Sequence, residues 1–273
     1  MTGLLMVFAG LLGLAFGSFA NVVAYRVPAG ISLLRPSRCP SCGAPIRSWQ
    51  NIPMLSWLLL RGRCAKCAAA ISPRYPAVEA VNAIAFAGLA WFVPTVLGLS
   101  GAAAVLVWAA FAWFAVISSV LVLIDLDTRR LPDVIVLPSY GVDLGLLGLA
   151  CVFGAEWSAA LGAVGGMLVM SVAYGVIRLI RPDGMGGGDV KLAGLAGLYL
   201  GWLGWGPLAV GWLGGFLLGG LFGVALIVSG RATRRTALPF GPWLLAGAWI
   251  GIWFGAWIWN NYTALSGLAL MEG

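Results

Sequence analysis

Two aspartates stand out as candidates for catalysis, because the chain has only 9 Asp and Glu among its 273 residues. Asp125 directly follows a long apolar run, and Asp189 directly precedes another. A carboxylate at a membrane boundary is energetically unfavourable and therefore indicates function. Two such groups that converge share one proton, since like charge and desolvation separate their pKa values. The pair could then activate water and polarise a carbonyl, as in aspartic proteases. The alternative is a helix N-cap at Asp189 and a charge anchor at Asp125.

Other catalytic chemistries are restricted by the absence of histidine from the sequence. Without it, Ser-His-Asp and Cys-His catalysis and the HExxH zinc proteases are excluded. Acid–base chemistry near neutral pH must then use carboxylates, Lys, Tyr or Cys. Asp143 lies about ten residues inside a predicted span, where an acid is rare. It is predicted either to make a polar contact with a neighbouring helix or to tune the pair.

Three glycines, Gly186, Gly187 and Gly188, lead into Asp189. A protease needs an extended substrate, and glycines let another backbone approach closely. The three are therefore predicted to contact substrate, and the alternative is a flexible connector. Lys191 does not share a helix face with Asp189 and is predicted to be a cytoplasmic anchor.

A metal site is predicted from four of the five cysteines. They form CPSC (39–42) and CAKC (64–67), and two CxxC pairs at this spacing favour tetrahedral zinc. A four-cysteine site has no open coordination position, so the metal would stabilise the surrounding loop without catalysing a reaction. A metal-free knuckle and a redox pair are the alternatives. The predicted ligands are Cys39, Cys42, Cys64 and Cys67.

The apolar runs that must position these residues predict an all-α polytopic membrane protein. The chain is 61% hydrophobic and 9% charged, whereas soluble domains carry roughly 25% charged residues. A spanning helix needs about 20 apolar residues. Eight runs qualify, of which the sixth is short and glycine-rich, at 3–25, 77–98, 102–124, 134–153, 157–180, 190–204, 207–229 and 238–260.

The orientation is predicted from the basic residues. With eight spans, all 16 Lys and Arg fall on one side, which the positive-inside rule assigns to the cytoplasm. Both termini are then outside, and the cysteine loop and both aspartates are cytoplasmic. The predicted parts are a first helix (1–25), a zinc loop (26–76) and a seven-helix core (77–273). The basic residues are predicted to contact anionic lipid, and their scatter disfavours nucleic-acid binding.

Several stretches together resemble the bacterial type IV prepilin peptidases, GxGD membrane aspartic peptidases that also serve type II secretion. They occur in the order of that family over nearly the whole chain. The matching stretches are GSFANVVAYRVP (17–28), the two cysteine pairs with NIPMLSWLLLRGRCAKC (51–67), ISPRYPAVEA (71–80), IDLDTRRLPD (124–133), GGGDVKL (186–192) and PFGP (239–242).

The resemblance implies an aspartic endopeptidase of the bacterial inner membrane. Such an enzyme cleaves the basic leader of type IV prepilins or pseudopilins after a Gly on the cytoplasmic side. It then methylates the new N-terminus with S-adenosylmethionine. The catalytic aspartates of the family fall on Asp125 and Asp189, and its zinc ligands fall on the four paired cysteines. In the family motif the first catalytic Asp stands six residues before Leu-Pro. Leu131-Pro132 therefore assigns this role to Asp125 and not to Asp127.

Local acids are predicted to contact the basic leader, because the cytoplasmic face is itself basic. The candidates are Glu79, Asp127, Asp133 and Asp183. Two other classes of function remain open at this stage. A transporter also places acids and broken, glycine-rich helices within the membrane, and a zinc-stabilised scaffold for pilus assembly needs no active site.

Overall fold

The computed structural model describes residues 2–182, 185–231, 233 and 239–266. The regular secondary structure among these residues is helical, with no β-strand, so the predicted all-α class is confirmed. A 3-10 turn covers Ser48–Asn51. The α-helices are α1 (Thr2–Arg26), α2 (Leu55–Leu59), α3 (Arg74–Thr95), α4 (Gly101–Thr128), α5 (Asp133–Val152), α6 (Trp157–Ile180), α7 (Gly187–Leu203), α8 (Trp205–Val228) and α9 (Gly241–Ser266).

Seven of these helices are long and apolar enough to cross a membrane, namely all except α2 and α7. The predicted sixth span corresponds to α7, which has 17 residues. At 1.5 Å per residue it is about 25 Å long, near the lower limit for a spanning helix. Every predicted span is therefore helical, and α7 is the one whose crossing stays a prediction.

Two helix boundaries differ from the predicted ones in a way that matters for the candidate site. α4 continues through Thr128 and α7 begins at Gly187, so both aspartates lie inside helices and do not merely flank them. The spans were predicted from apolar runs, but helical hydrogen bonds also form between polar residues at an interface. α4 ends where Arg129 adopts a φ of 54°, as its N–H bonds the Asp125 carbonyl at 2.8 Å.

The chain forms two compact units, Met1–Ile124 and Asp125–Gly273. In the first unit α1 packs on α3 through small residues, as membrane helices commonly do. A Cβ added to Gly13 would lie 2.5 Å from the Asn82 carbonyl oxygen. The buried Asn82 amide donates to Ser119 Oγ on α4 at 2.8 Å, which adds a polar contact to this packing.

In the second unit α7 is the central helix, with residues 192–202 all buried. α6 runs antiparallel to it, because Gly166 faces Gly197 and Gly162 faces Gly201. A Cβ on Gly162 would lie 2.5 Å from the Gly201 carbonyl oxygen. The glycines made the sixth span the least clearly predicted one. In the structure they let neighbouring helices pack closely around α7. This packing fixes the start of α7, and with it Asp189.

Candidate active site and metal centre

Asp125 lies in the last turn of α4 and is 4% exposed. Its Oδ2 accepts the backbone N–H of Gly241 at 3.1 Å, across 116 residues of sequence. Gly241 is the first residue of α9, where backbone N–H groups lack helical partners and favour negative charge. The PFGP stretch thus supplies a direct contact to Asp125 that sequence reasoning did not assign. The available signal for this contact was a glycine, Gly241, near the start of the last predicted span.

Asp189 is the third residue of α7, and its Oδ2 accepts the N–H of Gly186, the N-cap residue, at 3.0 Å. This is the acceptor half of a capping box, so Asp189 caps the helix from inside its first turn and not from the N-cap position. Burial, with the nearby charge of Asp125 as the second cause, raises the pKa of Asp189 to about 6, against the lowering effect of the Gly186 N–H.

The segments that carry the two aspartates meet around Leu131. A Cβ on Gly188 would lie 2.8 Å from Leu131 Cβ, and one on Gly241 would lie 3.5 Å from Leu131 Cδ2. Asp125 is close enough for its charge to act on Asp189. The structure therefore brings the two carboxylates close enough for their charges to interact. Each of them accepts a hydrogen bond from the backbone N–H of a glycine.

The three glycines before Asp189 lie at the start of α7, and their predicted contact with substrate stays a prediction. Gly186 is the N-cap of α7, and Gly187 and Gly188 belong to its first turn. A Cβ on Gly187 would lie 2.5 Å from Arg178 Nη1, and Gly188 packs on Leu131 as described above. Gly188 leaves little room for a side chain beside Leu131, whereas the Arg178 guanidinium beside Gly187 is the end of a flexible side chain and can move.

Lys191 forms an ion pair with Asp133, since its Nζ lies 2.7 Å from both carboxylate oxygens. The carbonyl oxygen of Lys191 also accepts the hydroxyl of Tyr140 at 2.5 Å. Both contacts join α5 to the first turns of α7. Lys191 was predicted to be a cytoplasmic anchor, which stays a prediction, and in the structure it also links α5 to the start of α7.

The other acids predicted to meet the leader are in different surroundings. Glu79 is buried in the first unit and accepts the N–H of Met54 at 2.6 Å. Met54 has a φ of 56°, so this bond holds an unfavourable loop conformation. Asp127 is exposed in the last turn of α4, and Asp183 lies outside the described residues.

Asp143 is fully buried on α5, inside a span, and Tyr199 of α7 is fully buried as well. Neither carboxylate oxygen of Asp143 has a hydrogen-bond partner among the described residues, so both interpretations of this residue stay predictions.

The four paired cysteines form a cluster that could hold a metal ion. Their Sγ atoms all lie within 4.8 Å of one another, and Cys39 and Cys67 are 3.8 Å apart. Zn–S bonds of about 2.3 Å in a tetrahedron place sulfurs about 3.8 Å apart. The cluster therefore fits zinc.

The two cysteine pairs have the same backbone conformation. Gly43 N–H bonds the Cys39 carbonyl at 2.8 Å, and Ala68 N–H bonds the Cys64 carbonyl at 2.9 Å. The N–H groups of Cys67 and Lys66 lower the pKa of the Cys64 thiol to about 6. The thiolate is the form that binds metal, so this turn favours the ligand state of Cys64. Against the lowering effect of the Ala69 N–H, the Cys42 thiol raises the pKa of Cys67 to about 11.

The fold and the site thus define a multi-pass helical membrane protein with a pair of interacting carboxylates and a four-cysteine cluster. Residues 11–93 match the Bacterial Peptidase A24 N-terminal domain, and residues 109–228 match the Type IV leader peptidase family. The chain belongs to this protease family, and it is an enzyme of the inner membrane. The transporter and scaffold alternatives are not favoured by these matches.

Curated relatives extend the similarity over almost the full chain. A protein of Stutzerimonas stutzeri is 34% identical, over 94% of this chain and 93% of its own. A protein of Pseudomonas aeruginosa is 35% identical over the same shares, and one of Pseudomonas putida is 38% identical over 95% and 94%. Each is named Prepilin leader peptidase/N-methyltransferase. No solved structure matches the chain.

Proposed function

We propose that this chain is a prepilin leader peptidase, an aspartic endopeptidase that removes the leader of type IV prepilins or pseudopilins. The observation that carries the proposal is the pair Asp125 and Asp189, two carboxylates in electrostatic range at the start and end of helices. The names of the relatives supply the substrate class.

Asp125 and Asp189 share one proton, because two adjacent carboxylates do not both ionise. Asp189, whose pKa is raised to about 6, carries that proton and donates it to the oxygen of the scissile carbonyl. Asp125, whose Oδ2 accepts the Gly241 N–H, is the ionised partner and takes a proton from the attacking water. The tetrahedral diol then collapses as the C–N bond breaks. Asp125 gives its proton to the departing amine, and the diol returns a proton to Asp189.

The cytoplasmic side is the proposed location of both aspartates and of the cysteine loop, with both termini outside. The proposal rests on the charge asymmetry, which places all 16 Lys and Arg on one side when α7 crosses the membrane. Asp127 is exposed and lies two residues after Asp125 in the sequence, and it is proposed to contact a basic leader. Contacts from Gly186–Gly188, Glu79 and Asp133 to substrate stay predictions, as does contact of the basic loops with anionic lipid.

Zinc is the proposed metal of the four-cysteine cluster, which would hold the loop 26–76 in its fold. A structural zinc site contributes directly to folding free energy. N-methylation of the new N-terminus, with S-adenosylmethionine as the donor, is proposed on the names of the relatives alone. The geometric argument concerns cleavage.

A cleavage assay with matched aspartate variants tests the proposal. The purified protein is mixed with a prepilin in detergent, and loss of the leader is followed by gel shift. Wild type is expected to cleave, and Asp125→Asn and Asp189→Asn are not. Asp127→Asn removes the same charge two residues away and is expected to keep kcat, with at most a raised KM. Cleavage by both Asp125→Asn and Asp189→Asn would refute the pair, and a wild type that cleaves no prepilin would refute the peptidase.

A further inference from the structure

Four aromatic side chains pack together beside the two aspartates. We call them the aromatic cluster: Tyr174 on α6, Trp212 and Phe216 on α8, and Phe240 directly before α9. Tyr174 stacks on Phe216 with ring centroids 5.3 Å apart, and Phe240 lies 6.1 Å from Tyr174 and 5.4 Å from Phe216. Trp212 is 6.4 Å from Phe216.

The cluster contacts the surroundings of both carboxylates. Phe240 is bonded to Gly241, whose N–H donates to Asp125. On the other side, the hydroxyl of Tyr174 lies near enough to Asp189 to be affected by its charge. The Tyr174 ring is thus held by Phe216 and Phe240, next to the residue whose N–H binds Asp125.

The hydroxyl of Tyr174 is buried and has no hydrogen-bond partner among the described residues. Buried polar atoms almost always have a partner, and each exception calls for an explanation. Tyr140, on the neighbouring helix α5, shows the usual situation, because its hydroxyl donates to the Lys191 carbonyl. An unpaired hydroxyl destabilises the fold, and a packing role alone would be met equally well by phenylalanine.

The location of this donor indicates what it pairs with. A donor that is fixed in a water-poor site beside the reacting groups stabilises charge that develops on a substrate oxygen, with no reorganisation during the reaction. Tyr174 is fully buried, whereas Asp189 is only partly buried. Substrate therefore reaches Asp189 first, and its carbonyl contacts the hydroxyl only by entering the buried region where Tyr174 lies.

We propose that Tyr174 is a further catalytic residue of the peptidase, whose hydroxyl donates a hydrogen bond to the oxygen of the scissile carbonyl as the tetrahedral intermediate forms. This inference rests on the proposed function. Tyr174 keeps its own proton throughout, so the proton transfers of Asp125 and Asp189 are unchanged. Its ring is held by Phe216 and Phe240, which sets the position of the hydroxyl before substrate arrives.

The test is Tyr174→Phe, which removes only the hydroxyl. Loss of one such donor lowers kcat by about 100-fold or more, so a fall of about 100-fold is expected, with KM within about twofold of wild type. The melting temperature is expected to stay the same or rise, since a buried unpaired group is removed. Tyr262→Phe, which changes an exposed tyrosine of α9, is the matched control and is expected to keep wild-type kcat.

A second measurement separates a catalytic role from a structural one. A peptide with a hydroxyethylene group in place of the scissile bond mimics the tetrahedral intermediate. Its affinity is expected to fall in Tyr174→Phe by about the same factor as kcat. The affinity of the uncleaved prepilin, measured in the Asp125→Asn background with and without Tyr174→Phe, is expected to stay constant.

The outcomes for this inference and for the proposed function are distinct. If wild type cleaves and Tyr174→Phe cleaves with the same kcat, the inference is refuted and the peptidase stands. If Tyr174→Phe lowers the melting temperature, kcat and both affinities together, the residue is structural and the inference is again refuted. If wild type cleaves no prepilin, both are refuted.

Discussion

Replacing Gly241 by Ala tests whether the start of α9 holds Asp125 in its active position. The Gly241 N–H donates to Asp125 Oδ2 at 3.1 Å. A Cβ at this position would lie 2.8 Å from the same oxygen and 3.5 Å from Leu131 Cδ2. A carbon cannot remain so close to a carboxylate oxygen, so Asp125 must rotate away or α9 must shift. In either case the hydrogen bond weakens.

The expected loss follows from the strength of that bond. A hydrogen bond to a charged group contributes about 1.5–3 kcal/mol, and each 1.4 kcal/mol changes a rate about tenfold. The kcat of Gly241→Ala is therefore expected to fall about 10- to 150-fold. Overall stability should change little, because Ala favours helix over Gly by up to about 1 kcal/mol and offsets part of the strain.

The assay is single-turnover cleavage of a prepilin in detergent, with the melting temperature measured in the same detergent. Gly220→Ala is the control, since Gly220 lies on α8 and has nothing within 4 Å of an added Cβ. It is expected to cleave at the wild-type rate. The reasoning is refuted if Gly241→Ala stays within about twofold of wild type, or if both variants lose activity equally.

Three further predictions concern the ion pair, the pH dependence and the metal. Lys191→Met should change the free energy of unfolding by less than about 1 kcal/mol, since Lys191 and Asp133 are 41% and 55% exposed, but lower kcat several-fold by loosening the start of α7. Recovery of kcat in the charge-exchanged double variant checks this, and an unchanged kcat in Lys191→Met would contradict it. The pKa of Asp189 rises from 3.8 to about 6 on folding, so its contribution to stability is lost as pH rises from about 4 to 6. In thermal unfolding, the stability of Asp189→Asn relative to wild type should therefore increase as pH rises through that range. A stability difference between the two that does not change with pH would argue against this. Cys64→Ser should lower the zinc bound per chain in elemental analysis and make residues 26–76 more sensitive to protease, and undiminished zinc would exclude the proposed site.

Much of the architecture could be predicted because its signals are local. An apolar run of about 20 residues is enough to specify a membrane helix, and each of the eight predicted runs corresponds to a helix among the described residues. A CxxC pair bends the backbone over four residues, and both pairs have the same turn in the structure, with a bond from Gly43 to Cys39 and from Ala68 to Cys64. Helix ends were less predictable, since hydropathy does not report where hydrogen bonding stops. α4 therefore extends past the apolar run to Thr128.

The sequence by itself determined the helical class and the four clustered cysteines, and it led to the prediction of carboxylate chemistry, because each depends on residue type and short spacing. Only the tertiary structure decided the partners of those residues. The bond from Gly241 to Asp125 joins positions 116 residues apart, and the ion pair of Lys191 with Asp133 joins positions 58 apart. The unpaired hydroxyl of Tyr174 is visible only once the surrounding helices are packed. Such contacts depend on how helices meet, which one-dimensional spacing does not encode.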